Sequence, residues 1–251
     1  MSVHALVTGG GTGIGAAIAR ELGGLWLAIT VVGRRAAPLE QVAAGIGERA
    51  GIITADLSEP DAARSVIAEA ERARGPVLVL INNAGAAESG PFGRSGADQW
   101  RRMLAINLEA AMAMSHAALP TMQHGGWGRI VNVASTAGLK GYAYAAAYCA
   151  AKHGLIGFTR ALAIELAETA ITVNAVCPGF TDTDLLARSV ERIVSRSDRS
   201  EEDAKAELAH FNPQGRLIDP AEVASAVLWL CAPGQRSITG QALAIAGGEV
   251  M

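Results

Sequence analysis

Seven short apolar runs recur along the chain, and they constrain its fold more than any other feature. They are VHALVT (3–8), LAITVV (27–32), GIIT (51–54), VLVLI (77–81), RIVNVAS (129–135), ITVNAV (171–176) and ALAIA (242–246), with Gly, Asp, Asn and Pro at their flanks. Strands that are apolar at successive positions are buried on both faces, which calls for a parallel sheet covered by helices. Helical periodicity fills the intervals near 14–22, 38–50, 60–74, 97–124, 146–168 and 220–232. In SEPDAARSVIAEAERARG, Ser58 is placed to cap, Pro60 suits a first turn and Gly75 ends the helix. Strand–helix alternation of this kind predicts a doubly wound α/β fold with seven parallel strands and helices on both faces. No internal repeat or linker divides the 251 residues, so a single domain over 1–251 is expected.

One stretch breaks the rhythm. Residues 184–212, DLLARSVERIVSRSDRSEEDAKAELAHFN, are charged and helical in period, and follow a strand's C-terminal end. Ligands of doubly wound sheets bind at such ends. The stretch reads equally as a lid over a substrate pocket or as a solvated helical excursion.

The formal net charge of -3 leaves no electrostatic footprint for nucleic acid or an anionic membrane. No apolar run reaches the length of a membrane span, and MSVHALVTGG lacks the regions of a signal peptide. Cys149, Cys177 and Cys231 are widely spaced and form no CxxC pair, as thiols of a reducing cytoplasm do. The five histidines form no metal-ligand cluster, so no metal is expected.

The first strand runs directly into VTGGGTGIG. Gly9, Gly13 and Gly15 allow a tight turn and close approach of a ligand, and the helix that follows offers free N–H groups to a pyrophosphate. This is a Rossmann-type dinucleotide arrangement, although its TGxxxGxG spacing differs from GxGxxG. Further motifs follow in order: Asp56-Leu57 after the third strand, NNAG (82–85) after the fourth and Asn107 in the next helix. Ser135 ends the fifth strand, Tyr148 and Lys152 come next, and PGFTDT (178–183) follows the sixth strand. Together, over essentially the whole chain, these resemble the short-chain dehydrogenase/reductase family.

That resemblance implies a set of site residues. Gly9, Thr12, Gly13, Ile14 and Gly15 would cradle the cofactor phosphates, and Asp56 and Leu57 would contact its adenine. Asn82, Ala84 and Gly85 would line the cofactor-side turn, with Pro178, Gly179, Thr181 and Thr183 opposite. Asn107, Ser135, Tyr148 and Lys152 would be catalytic, Asn107 holding a water that links Lys152 to solvent. Trp26 departs from the family pattern, which usually has a glycine there.

Residue chemistry supports the pair at 148 and 152 independently. Lysine occurs only at 140, 152 and 205, leaving 18 of the 21 basic residues as arginine. Positions i and i+4 share a helix face, so Lys152 is presented beside Tyr148. A phenol of ordinary pKa near 10 is a poor acid or base at neutral pH, and a nearby ammonium pulls it toward the working range. Ser135 would polarise the substrate oxygen, while Lys152 also holds ribose hydroxyls. Tyr142 and Tyr144 have no lysine four residues later.

An acid usually ends the second strand in relatives that use NAD, whereas here Gly33 is followed by Arg34 and Arg35. Arginine pairs with a ribose 2′-phosphate, which favours NADP(H). Thr12, where many NADP-using relatives carry a second basic residue, keeps NAD(H) open.

The expected activity is interconversion of a ketone and a secondary alcohol. The overall pattern is similar to bacterial 3-oxoacyl-thioester reductases and 3-hydroxyacyl dehydrogenases. Dehydrogenases of cyclic or aromatic alcohols are the second reading, and a nucleotide-sensing protein without turnover or an epimerase is a reading from another class. The expected pocket is walled by Ser135, residues 136–144, Tyr148, Phe180 and the 184–212 segment. Arg188, Arg192, Arg196 and Arg199 could meet a substrate phosphate there or simply belong to a solvated helix. Helices at 97–124 and 146–168 are richer in apolar residues than one sheet face requires. Relatives bury such helices, and the C-terminal LAIAGGEVM, between subunits, so the resemblance implies a homotetramer, with a dimer as the lesser assembly.

Overall fold

A computed structural model describes residues 3–25, 28–195 and 199–251. Trp26, Leu27 and Arg196 lie outside the described residues, as do the side chains of Arg188 and Arg192. The strands are β1 (His4–Thr8), β2 (Ala28–Gly33), β3 (Ala50–Thr54), β4 (Val77–Asn82), β5 (Gly128–Val133), β6 (Ile171–Pro178) and β7 (Ala242–Ile245). They form one sheet in the order β3-β2-β1-β4-β5-β6-β7, each neighbouring pair parallel. Helices alternate with them: α1 (Gly13–Gly24), α2 (Ala36–Ile46), α3 (Ala62–Arg74), α4 (Ala97–Leu104), α5 (Ala110–His124), α6 (Ala146–Glu165), α7 (Asp184–Val194), α8 (Glu201–Ala209) and α9 (Pro220–Cys231). A parallel seven-stranded Rossmann-type sheet was the expectation, and it is what forms.

Alternation along each strand assigns the two faces. Ala5, Val7, Ile29 and Val31 pack with Ile18 and Leu22 of α1, Leu39 of α2 and Val223 and Val227 of α9. Their neighbours Leu6 and Val32 pack on the other side, against Val66 of α3, Met114 of α5 and Ala163 of α6. Because both faces are covered, every residue of β1 and β6 is buried, which explains their largely apolar runs.

Two local expectations need correction. The helix expected over 38–50 ends at Ile46, because Gly47 takes φ 91 and Ala50 already belongs to β3. α3 begins at Ala62 behind Asp61, and Ser58 does not cap it. The Ser58 hydroxyl instead donates to Asp56 Oδ1 at 2.6 Å. Gly75 does end α3, in the left-handed region at φ 84.

The 184–212 segment is a helical hairpin with a small core of its own. Leu186 and Val190 of α7 meet Ala204 and Leu208 of α8, with Phe180 and Leu217 packed against them. A capping box at Ser200 and Asp203 starts α8. Arg199 pairs with Glu207 rather than standing free.

Candidate active site

Strand order reverses between β1 and β4, so their C-terminal ends flank the crevice of the sheet. The glycine loop leaves β1 there and the NNAG turn leaves β4. Two residues outside the sequence-based set tie these loops together. Thr8 Oγ1 accepts the backbone N–H groups of Asn83 and Ala84, both at 2.9 Å. Asn83 Nδ2 donates back to the carbonyls of Thr8 at 2.9 Å and Gly9 at 3.1 Å. Their sequence signal is a hydroxyl closing β1 and the second asparagine of NNAG, which attention to the glycines passes over.

The glycines are required by space as well as by conformation. Gly9 and Gly13 have φ values of 62 and 52. A Cβ on Gly15 would overlap the Gly9 carbonyl and the Asn83 amide. Thr12 is the N-cap of α1 but its side chain makes no capping bond, so the first-turn N–H groups through Gly15 have no intrahelical partner. Thr183 closes over the loop, its Cγ2 lying 2.9 Å from where a Gly13 Cβ would stand. Thr181 donates to Gly179 O at 2.9 Å and Thr183 to Thr181 O at 3.2 Å, which shapes PGFTDT above the crevice. A narrow cradle of free N–H groups that excludes side chains fits the pyrophosphate of a dinucleotide.

At the ends of β2 and β3, Arg34 and Arg35 are exposed and Asp56 is half-buried. The hydrogen bonds from Ser58 hold the Asp56 carboxyl below its ordinary pKa. Leu57 is buried beside it. Asn82 departs from expectation: its side chain points inward, away from the crevice. Its Nδ2 serves Asn132 Oδ1 at 2.9 Å, Ser115 Oγ at 3.1 Å and Ala111 O at 3.3 Å, so Asn82 braces β4 against β5 and α5.

The four expected catalytic residues converge on the other side. Ser135 follows β5 and caps the short turn Thr136–Gly138, its Oγ accepting Ala137 N–H at 3.1 Å. The Ser135 hydroxyl lies close enough to the Tyr148 phenol to pull its pKa down. Tyr148 and Lys152 lie on α6, with Lys152 Nζ 5.8 Å from the Tyr148 ring centroid. Nζ donates to Val133 O at 2.8 Å. Burial lowers the pKa of Lys152 to about 8.

Burial also outweighs the downward pull expected on Tyr148. The residue is partly exposed, but the surroundings of its hydroxyl push the phenol above its ordinary value, with Ser135 opposing the shift. Tyr148 is therefore a protonated acid at neutral pH.

Asn107 sits in a π turn, Ala105–Glu109, between α4 and α5. Such a turn widens the helix by one residue and recurs at functional sites. The Asn107 amide is held by Ala86, with Nδ2 to Ala86 O at 2.9 Å and Oδ1 from Ala86 N at 3.3 Å. A Cβ on Gly85 would lie 2.7 Å from Asn107 Oδ1 and 3.7 Å from Lys152 Nζ, so Gly85 lets these two residues approach each other.

The substrate side has an aromatic wall. Tyr142 meets Phe180 edge-on at 5.9 Å and Phe211 at 5.9 Å, and Phe180 lies 5.2 Å from Phe211. This joins the 136–144 loop to the end of the helical hairpin. A cavity of about 80 Å³ opens beside it, lined by Tyr142, Tyr144, Glu88, Phe92 and Gln99 among others. The 88–99 side of that mouth lay outside the sequence-based pocket. Tyr144 takes φ 66, and its carbonyl receives Gly90 N–H at 2.8 Å.

Comparison with known proteins gives concordant results. Residues 3–193 match the family described as short chain dehydrogenase. A putative ketoacyl reductase of Streptomyces coelicolor is 39% identical over 250 residues, covering 97% of this chain and 95% of its own. A D-beta-hydroxybutyrate dehydrogenase of Cupriavidus necator is 37% identical over 250 residues, covering 98% and 97%. A crystal structure of an actinorhodin polyketide ketoreductase variant with NADPH superposes with a TM-score of 0.94 at 38% identity, covering 99% of this chain and 97% of that one.

Proposed function

Because the chain belongs to the short-chain dehydrogenase family and is an NAD(P)-dependent oxidoreductase of ketones and secondary alcohols, we propose that it reduces 3-oxoacyl thioesters with NADPH. The observation that carries the substrate class is the aromatic wall of Tyr142, Phe180 and Phe211 beside Ser135 and Tyr148. It suits an apolar acyl group next to the carbonyl. Relatives named for ketoacyl reduction support the same reading.

The exposed Arg34 beyond β2 supports NADP(H), since it stands where an acid would repel a 2′-phosphate. A bound nicotinamide would supply the hydride. Ser135 holds the carbonyl oxygen, Tyr148 donates the proton to it, and Lys152 and Asn107 stand behind Tyr148.

The test is a panel of acetoacetyl-CoA, longer 3-oxoacyl thioesters, cyclic ketones and aryl ketones, each with NADPH and NADH. Thioesters should give the highest kcat/KM, and NADPH should be preferred by at least ~10-fold, the scale of one charge-assisted contact. Inert thioesters beside an active cyclic or aryl ketone would transfer the enzyme to the second reading. A clear preference for NADH would reject the role of Arg34.

The same reading includes a homotetramer. Met112 of α5, Ile164 of α6, Trp229 of α9 and Leu243 of β7 are large apolar side chains left exposed on the single chain, Ile164 at 78%. Large apolar side chains left exposed on a single chain suit burial in subunit contacts. Light scattering at micromolar concentration should give four times the 25.8 kDa chain mass, with a dimer as the lesser outcome. A monomer would contradict both. Among the described residues no helix is long and apolar enough to cross a membrane, and the three cysteines are free. A cytoplasmic setting accords with those thiols.

A further inference from the structure

Glu249 lies near the C-terminus, after the paired glycines Gly247 and Gly248. Those glycines take φ 59 and 95, and a side chain on Gly247 would overlap the Asn212 amide. The turn brings the Glu249 side chain into the substrate side of the site, where it is only 2% exposed. Its Oε1 accepts the Tyr142 hydroxyl and pairs with Lys140 Nζ at 3.0 Å. Its Oε2 is buried without a hydrogen-bond partner and lies against Gly179 of the PGFTDT loop, 3.0 Å from where a Cβ would stand. Tyr142 in turn bonds Thr136 Oγ1 at 2.6 Å, one residue from Ser135.

A buried carboxylate needs a charged partner, and Lys140 is that partner. The consequence falls on the substrate. Lys140 is the one lysine or arginine of the 136–144 loop, and its Nζ lies 5.1 Å from the Tyr142 ring centroid and 5.8 Å from that of Phe211. It could meet an acid on a bound ligand, but its charge is already spent on Glu249. The cavity that Tyr142 lines shows the same pairing, with Arg102 donating to both oxygens of cavity-lining Glu88 at 3.3 and 3.1 Å.

We propose that Glu249 is a specificity-determining residue: by neutralising Lys140 it denies the pocket a free cation, so that neutral 3-oxoacyl esters and thioesters are accepted and the free 3-oxo acids are rejected. The proposal rests on the reading of the site as one for 3-oxoacyl compounds, and adds the charge of the accepted form. Glu249 and Lys140 here act on ground-state recognition, outside the proton path.

Glu249→Gln tests it, since the amide still accepts the Tyr142 hydroxyl but no longer neutralises Lys140. Acetoacetate and methyl acetoacetate are titrated calorimetrically into the enzyme saturated with NADP. In the wild type acetoacetate should bind at least ~10-fold more weakly than its ester. In E249Q its affinity should rise by at least ~10-fold while that of the ester changes little, and Lys140→Met added to E249Q should abolish the gain. In kinetics the gain should appear in KM for acetoacetate rather than in kcat.

An unchanged acid-to-ester ratio in folded E249Q would overturn the proposal, as would a gain that survives loss of Lys140. A parallel loss of both ligands with a lower Tm would reduce Glu249 to a packing role and overturn it equally. Failure of acetoacetyl-CoA as a substrate would count against the thioester reading alone, because these titrations use no thioester.

Discussion

Tyr148→Phe is expected to lower kcat by at least ~100-fold, the usual scale of general acid–base catalysis, with little change in fold or cofactor affinity. The substitution removes one oxygen and keeps the ring on α6. Ser135 retains its bond from Ala137 N–H, so the turn after β5 stays in place. The burial that raises the Tyr148 pKa keeps the phenol protonated at neutral pH. It is therefore ready to donate to the oxygen of a ketone as hydride arrives, and phenylalanine has nothing to donate. Steady-state rates together with a fluorescence titration of NADPH check both halves of the expectation. Turnover near wild type would remove Tyr148 from the proton path. Loss of NADPH binding would instead show that the ring supports the cofactor.

The strands were legible because a sheet covered on both faces tolerates few polar residues, so β1 and β6 announce themselves. Glycines with positive φ and a serine, tyrosine and lysine in series carry their chemistry in residue type, which a sequence displays directly. What stayed hidden depends on contacts between distant segments. Nothing local in GGEVM tells that Glu249 reaches Lys140 and Tyr142, 109 and 107 positions earlier in the chain. Asn82 shows the same limit in reverse. Its motif placed it on the cofactor side, but only the packing of β4 against β5 and α5 decides that its amide turns inward. Tyr148 was expected below its ordinary pKa from the neighbouring charge, and the larger contribution, desolvation, depends on what surrounds the hydroxyl in three dimensions.

Lys152→Met is expected to lower kcat/KM by at least ~100-fold and yet stabilise the folded chain near neutral pH. The lysine is 4% exposed, with burial as the main cause of its lowered pKa of about 8, against 10.5 for an ordinary lysine. In the unfolded chain the group stays protonated up to about 10.5, whereas in the folded chain it releases its proton near 8. The cost of holding the buried charge is thus present in full below pH 8 and fades as pH rises toward 10.5. That interval of 10.5 minus 8 corresponds to about 3 kcal/mol at 1.36 kcal/mol per unit. Methionine avoids the cost but leaves Val133 O without its bond from Nζ, a loss of roughly 1–3 kcal/mol. The net gain at pH 7 should be about 1 kcal/mol, raising Tm by ~2–4 °C for a chain of this size. Thermal melts of both proteins at pH 7 and pH 10 isolate the lysine, since Tyr148 is common to the two. The variant's advantage should shrink or reverse at pH 10. An advantage independent of pH would show that Lys152 is not held at an energetic cost for catalysis.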